Sequence, residues 1–312
     1  MIKMYMSSNK ELIETDTITD GVWINMVNPS LKEVNKIANE LNIDPDFINA
    51  ALDEEERSRI EFDNETNNFL IVVDTPCISK DRESNIYETL PIAIIYTDKV
   101  IITVSLNETL VLDPFIKNRV KTFFTYKRSR FLLQILYKNA SLYLYFLKRI
   151  DKQSTLIENE LHKSLKNKEL IQLLTLEKSL VYFSTSLKSN ELVMEKLLRY
   201  DFIKKYEEDK ELLEDTIIEN KQAIEMSKIY SDILAGTMDT FASIISNNLN
   251  IVMKVLTSIT IIMAIPNIIS SFFGMNVPIP FENSPLAFLW IILGSIGICI
   301  LVTKIMSKKN MF

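Results

Sequence analysis

Two apolar runs close the chain, at 251–276 and 286–303, and the first of them is not uniformly greasy. It carries no charge after Lys254. At about 1.5 Å per helical residue, twenty-odd residues cover a hydrocarbon core of roughly 30 Å. The polar positions inside the run keep to one helical face. Steps of three and four connect Ser246, Asn250, Met253, Thr257, Thr260, Ala264 and Asn267, with Ser271 beyond them and Asp239 seven residues before. These positions stay within a sector of about 100°, which Ser258 and Ser270 fall outside. A serine or threonine can spend its hydroxyl on the carbonyl four residues back. A helix facing only lipid nonetheless gains nothing from a stripe that also holds Asn250 and Asn267, because polar groups at membrane depth face a bundle interior or water. The stripe predicts a helix that lines something wet.

Upstream, 207–271 holds one glycine, Gly236, and no proline before Pro266. Unbroken, that is a helix about 100 Å long. Its first half is dense in Glu, Asp and Lys and belongs in the cytoplasm, its second half becomes the span, and Pro266 should bend it. From 113 to 199 the period is also helical, with Leu132, Leu133, Leu136, Tyr143, Leu147 and Ile150 on one core stripe and Leu173, Leu176, Leu180, Phe183 and Leu187 on another. The first hundred residues read differently. A strand at 21–27 stops at Asn28-Pro29, and Ser30 with Glu33 makes a capping box for a helix to about Leu41. Asp44-Pro45 opens a helix over 45–56, whose charged end is Asp53-Glu54-Glu55-Glu56-Arg57. Strands follow at 59–62, 69–74, 90–96 and 100–105, the last two joined by Thr97-Asp98-Lys99 as a hairpin.

The expected fold is therefore an α+β cytoplasmic domain, with a small, mostly antiparallel sheet flanked by helices. A very long stalk helix follows and continues into the first of two C-terminal transmembrane helices. The boundaries read as 1–205 for the α/β domain with its helical layer, 206–250 for the stalk, 251–276 for the first span, 277–285 for an external loop, 286–304 for the second span and 305–312 for a basic tail.

Composition narrows the function. The net charge of −6 has no basic run before the last few residues, which disfavours nucleic acid. Cys77 and Cys299 lie far apart, the second inside a span, so they imply neither a disulfide framework nor a thiolate metal site. The opening residues lack the apolar core of a signal peptide. There is one histidine, His162 in a polar stretch, and the sequence offers no nucleophile–His–acid set and no Gly-rich phosphate loop. No enzyme and no cofactor is expected. Lys254 precedes the first span, Lys304, Lys308 and Lys309 follow the second, and the connecting loop holds one charge, Glu282. The positive-inside rule places both termini in the cytoplasm of a cell bounded by the membrane these spans cross.

Gly274-Met275-Asn276 closes the first span, with a short loop and a second span behind it. In that place the triplet resembles the CorA family of divalent-cation channels, and Asn250 with the run Met253-Lys254-Val255-Leu256-Thr257 is similar to that family's pore entrance. The likeness is close over 236–278 and loose elsewhere. It implies a plasma-membrane homopentamer, whereas two spans per chain require only several copies around an axis. Mg²⁺ would be both substrate and regulatory ligand, with Co²⁺ or Ni²⁺ as other substrates.

Mg²⁺ dehydrates reluctantly, so a pore passing it partly hydrated needs neutral oxygens more than a charged cage. Gly274, Met275 and Asn276 would form the outer mouth, followed by Asn267, Ala264, Thr260, Thr257 and Asn250. Met253 and Leu256 would make an apolar constriction able to gate by dewetting, a role the resemblance also gives to residues here, and Asp239 with Ser246 would lie toward the inner exit. By the resemblance, Asp215 stands at the family's stalk sensing position for cytoplasmic Mg²⁺. Its partner carboxylate would fall near Asn49-Ala50, which carry no charge, so the site would be weaker or would use Asp53, Glu54 or Glu55. Two other readings stay open. One is a zinc transporter of the same superfamily; the other is a cytosolic sensor or scaffold merely tethered by two spans.

Overall fold

The computed structural model describes residues 1–8, 11–80, 85–120, 122–163, 167–275 and 286–309. The chain divides into two compact units, Met1–Thr237 and Met238–Phe312.

The first unit is built on a seven-stranded sheet. Strands β1 (Ile2–Ser8), β2 (Glu11–Glu14), β3 (Trp23–Val27), β4 (Arg59–Asp63), β5 (Asn68–Lys80), β6 (Asn85–Tyr96) and β7 (Ile101–Ser105) stand in the order β2-β1-β3-β7-β6-β5-β4. Every neighbouring pair is antiparallel except β3 with β7. The sheet is larger than the sequence pattern indicates. The β1–β2 hairpin is an addition to it, and β5 and β6 run well beyond their apolar stretches.

Alternate residues of the central strands enter two different cores. Ile71, Val73, Ile92 and Ile94 pack with Trp23 and Phe131 on one face, while Leu70, Val72, Ala93 and Ile95 pack with Val34, Ile37, Phe47 and Ile48 on the other. Both faces of these strands are covered, which is why they read as continuous apolar runs and not as alternation.

The second face is covered by α1 (Leu31–Leu41) and α2 (Pro45–Asn49). The capping box of α1 is present. The Ser30 N–H donates to Glu33 Oε2 at 2.7 Å and the Glu33 N–H to Ser30 Oγ at 3.4 Å. The helix expected over 45–56 is cut short. It passes into a 3₁₀ turn at Ala50–Leu52, and Asp53 is already extended, its Oδ1 accepting the Glu55 N–H at 3.0 Å. That bond gives the backbone an alternative to helix, the ordinary reason Asp ends one. Asp53 and Glu54 therefore sit on an exposed turn, not on a helix end.

The other face carries α3 (Asp113–Ile116), α4 (Arg128–Lys163), α5 (Asn167–Leu197), α6 (Asp201–Lys204) and the first part of α7 (Glu207–Phe273). The expected stripes of α4 and α5 are buried throughout. A polar contact fixes α5 to the sheet. Strand β4 pairs no further than Arg59 with Val72, so the main chain at Asp74 has no β4 partner. The Asn190 carboxamide of α5 takes that place: its Oδ1 accepts the Asp74 N–H and its Nδ2 donates to the Asp74 carbonyl, both at 2.9 Å. Asn139 at 2.8 Å and the Tyr143 hydroxyl at 3.2 Å donate to the same carbonyl. A side-chain amide here completes a ladder that would otherwise leave a buried N–H unpaired.

The second unit contains the remainder of α7 and the helix α8 (Ala287–Lys308). Helix α7 is 67 residues long and runs through Pro266 without interruption.

Candidate ion pathway along the second unit

Helices α7 and α8 are both long and apolar enough to cross a membrane. In the apolar part of α7, burial centres on one face. Ser258 is fully buried, with Val255, Ile262, Ile265 and Ile269 partly covered, at steps of three and four. On α8 the covered residues include Ile291, Ser295, Cys299, Val302 and Met306. Small side chains at Ser258, Ser295 and Cys299 are the usual means of close helix approach in lipid.

Cys299 does more than pack. Proline at 266 has no N–H, so the carbonyl four residues earlier, Ile262, loses its intrahelical donor. The Cys299 thiol donates to that carbonyl at 3.8 Å. Within hydrocarbon an orphan carbonyl has no water to turn to, so a weak sulfur donor from the neighbouring helix has value there.

The polar stripe lies elsewhere. At 100° per residue, its centre is roughly 150° around α7 from the face packed on α8. Asp239, Ser246, Asn250, Met253, Leu256, Thr257, Thr260 and Asn267 are all exposed in the single chain, Ala264 is half-buried, and Met253 and Leu256 remain 52% and 57% exposed. The two serines outside the stripe go the other way: Ser258 is buried and Ser270 lines the groove between α7 and α8. Gly294 and Gly297 of α8 touch nothing that a methyl group would meet, so Met253 and Leu256 do not seat against them.

Along the stripe, the Thr260 hydroxyl donates to the Leu256 carbonyl at 2.8 Å. With its proton committed, Oγ1 turns only lone pairs outward. At the end of the helix the Gly274 N–H bonds Ser270 O at 3.0 Å, and a Cβ at 274 would stand 3.3 Å from that same carbonyl, so the tight turn favours glycine. Met275 is exposed. Asn276 and the loop 277–285 lie outside the described residues.

The regulatory candidates are single exposed carboxylates. Asp215 projects from α7 between the buried Leu213 and Thr216, while Asp53 and Glu54 lie on their turn. Among the described residues no three His, Cys, Asp or Glu side chains come together to hold a metal ion. Two pairings escaped the sequence reading. Asp209, in the first turn of α7, is buried against the Ser129 hydroxyl at 2.7 Å and Arg130 at 3.2 Å; nothing local announces it. The Pro266–Cys299 relation had a signal, since a proline inside an apolar span implies a free carbonyl four residues before it.

The model of the CorA-like Mg2+ transporter protein family matches residues 19–308. The chain belongs to that family. Among curated CorA proteins, the cobalt/magnesium transport protein of Methanocaldococcus jannaschii is 27% identical over 294 residues, spanning 93% of this chain and 90% of the relative. The complete structure of the CorA magnesium transporter from the same organism superposes with a TM-score of 0.86 at 24% identity, over 100% of this chain and 99% of that one. The cytoplasmic domain of ZntB from Vibrio parahaemolyticus matches at 0.59 and 11% identity, over 79% and 96% of the two chains, which is likeness of fold alone. The CorA fold accounts for the mixed sheet flanked by helices, the long helix and the apolar helix after it. Membership makes the chain a membrane transporter of divalent cations and not an enzyme.

Proposed function

We propose that several copies of the chain set their α7 stripes around a common axis and form a gated pore for Mg²⁺, passing Co²⁺ or Ni²⁺ as well. The observation that supports this is the stripe's position: polar groups at membrane depth on a face of α7 that α8 leaves uncovered. A simple anchor has no use for it. The relative's printed name, cobalt/magnesium transport protein, agrees with the choice of ions. A homopentamer follows from the family resemblance, and both termini lie in the cytoplasm with the pore in the plasma membrane, as the lysines at 254, 304, 308 and 309 direct.

In this pore the ion keeps part of its water and is handed between oxygens at Asn276, Asn267, Thr260, Thr257 and Asn250. Met253 and Leu256 close the inner part by excluding water, and Asp239 gathers cations at the exit. Asp215, with Asp53 or Glu54 of a neighbouring copy, binds cytoplasmic Mg²⁺ and biases the ring toward closure.

The test is ion uptake into proteoliposomes holding the full chain. Mg²⁺ uptake above that of empty vesicles, competed by Co²⁺ and Ni²⁺ more than by Zn²⁺, is expected, and its absence overturns the reading. Asn276→Ala should abolish uptake while the oligomer remains assembled by size; wild-type uptake in that variant removes Asn276 from the mouth.

A further inference from the structure

Beside the polar stripe, the second unit presents an open groove of about 500 Å³ between α7 and α8. Pro266, Ser270, Phe288, Ile296, Ile300 and Lys304 are among the residues lining it. From Phe288 to Lys304 the lining extends about 24 Å along α8, more than half of a roughly 30 Å hydrocarbon core.

The wall is chemically one-sided. Ser295 and Thr303 also line the groove, but their hydroxyls donate to the carbonyls of Ile291 and Cys299, at 2.8 and 2.7 Å. They have no proton left for a polar ligand. Apart from Ser270, what the groove mainly offers is apolar surface, and among the described residues its one charged lining residue is Lys304, one turn before Lys308 at the end of α8.

We infer that this groove is a phospholipid site: an acyl chain lies along Ile296 and Ile300, and an anionic headgroup phosphate pairs with the Lys304 ammonium. The inference rests on the reading of α7 and α8 as membrane spans, with Lys304 at the cytoplasmic face. The Lys304 side chain is exposed in the single chain. A lipid leaves it at the headgroup plane, where a lysine on an apolar stem settles, and basic positions between spans on this side are suited to anionic headgroups.

Native mass spectrometry of the full chain in detergent, with phosphatidylglycerol and phosphatidylcholine of identical acyl chains, tests this. Retention of phosphatidylglycerol at least tenfold above phosphatidylcholine is expected. Lys304→Gln should remove the preference, Lys308→Gln should keep most of it, and Ile296→Trp, which fills the groove from an exposed position, should lose both lipids. Equal retention of the two lipids by wild type overturns the site, as does an equal effect of the two lysine changes, which would mean general surface attraction only. A photo-reactive benzoylphenylalanine at position 300 should cross-link phospholipid; capture of another copy of the chain instead also overturns it. Mg²⁺ uptake measured on the same preparation separates the two readings, since lost lipid preference with intact uptake removes only the lipid site.

Discussion

At the scale of single residues, the contacts that matter most are those that repair a missing backbone partner. Cys299 at the Ile262 carbonyl is one. Cys299→Ala should cost about 1 kcal/mol in detergent unfolding, whereas Cys299→Ser, whose hydroxyl is the better donor, should hold most of the wild-type value; equal losses would mean that only packing is at stake. Asp74 is another centre. Burial pushes its carboxyl above the ordinary aspartate value of 3.8, against hydrogen bonds from Ser186 and Ser58 that act to lower it. The folded state thus holds the proton more tightly than the unfolded chain, and this group's contribution to stability declines as pH rises from 3.8 through the folded value. Nearby Tyr143 is held well above its usual range and Cys77 is pushed up to about 11, so neither titrates in that window. Asp74→Asn should remove the decline and leave the protein more stable than wild type at neutral pH, read from denaturant midpoints at pH 4 to 7. The residue scale also shows what a sequence does and does not disclose. Ser30 and Glu33 were legible because they cap within three residues of each other. Asn190 was not: its partner Asp74 is 116 positions away, and only the early end of β4 creates the need for it.

Among elements, α7 is the one whose pattern said most. Its start near Glu207 follows from a stretch with one glycine and no proline before Pro266, its polar stripe follows from period, and that stripe lies away from α8. The β1–β2 hairpin is not legible in the sequence because its strands are only partly buried, so they lack the apolar density of β5. The 45–56 helix was overextended because Asp53 closes it by a local side-chain bond that charge counting overlooks. The exposure of Met253 and Leu256 within the single chain decides what their truncation does. Since neither packs on α8, Met253→Ala and Leu256→Ala should each change stability by less than about 0.5 kcal/mol. Both should raise basal Mg²⁺ leak into liposomes at high internal Mg²⁺. Lost stability with no added leak would show that the pair packs in the assembly and does not gate it.

For the whole molecule the proposal makes closure a property of the ring, because no described cluster of ligands exists within one chain. Like carboxylates on neighbouring copies repel, and a divalent ion shared between them turns repulsion into a link that biases the closed arrangement. Such coupling is reciprocal, so Mg²⁺ must bind the closed ring more tightly than the open one. Asp215→Lys should raise the Mg²⁺ concentration that half-inhibits uptake by at least tenfold. An unchanged value would remove Asp215 from the sensor and leave Asp53 and Glu54 to be tested in its place. One detail of the wall carries a consequence for the conditions under which the pore discriminates. In the proposed pore, a ring of Thr260 side chains whose protons are all spent on Leu256 carbonyls would prefer cations over anions without any net charge of its own. Ionic strength shortens the reach of a carboxylate such as Asp239 to about 8 Å at physiological salt, but it does little to a dipole acting at contact. Concentrated electrolyte should therefore slow the gathering of ions at the exit while leaving chloride as firmly excluded as it is in dilute solution.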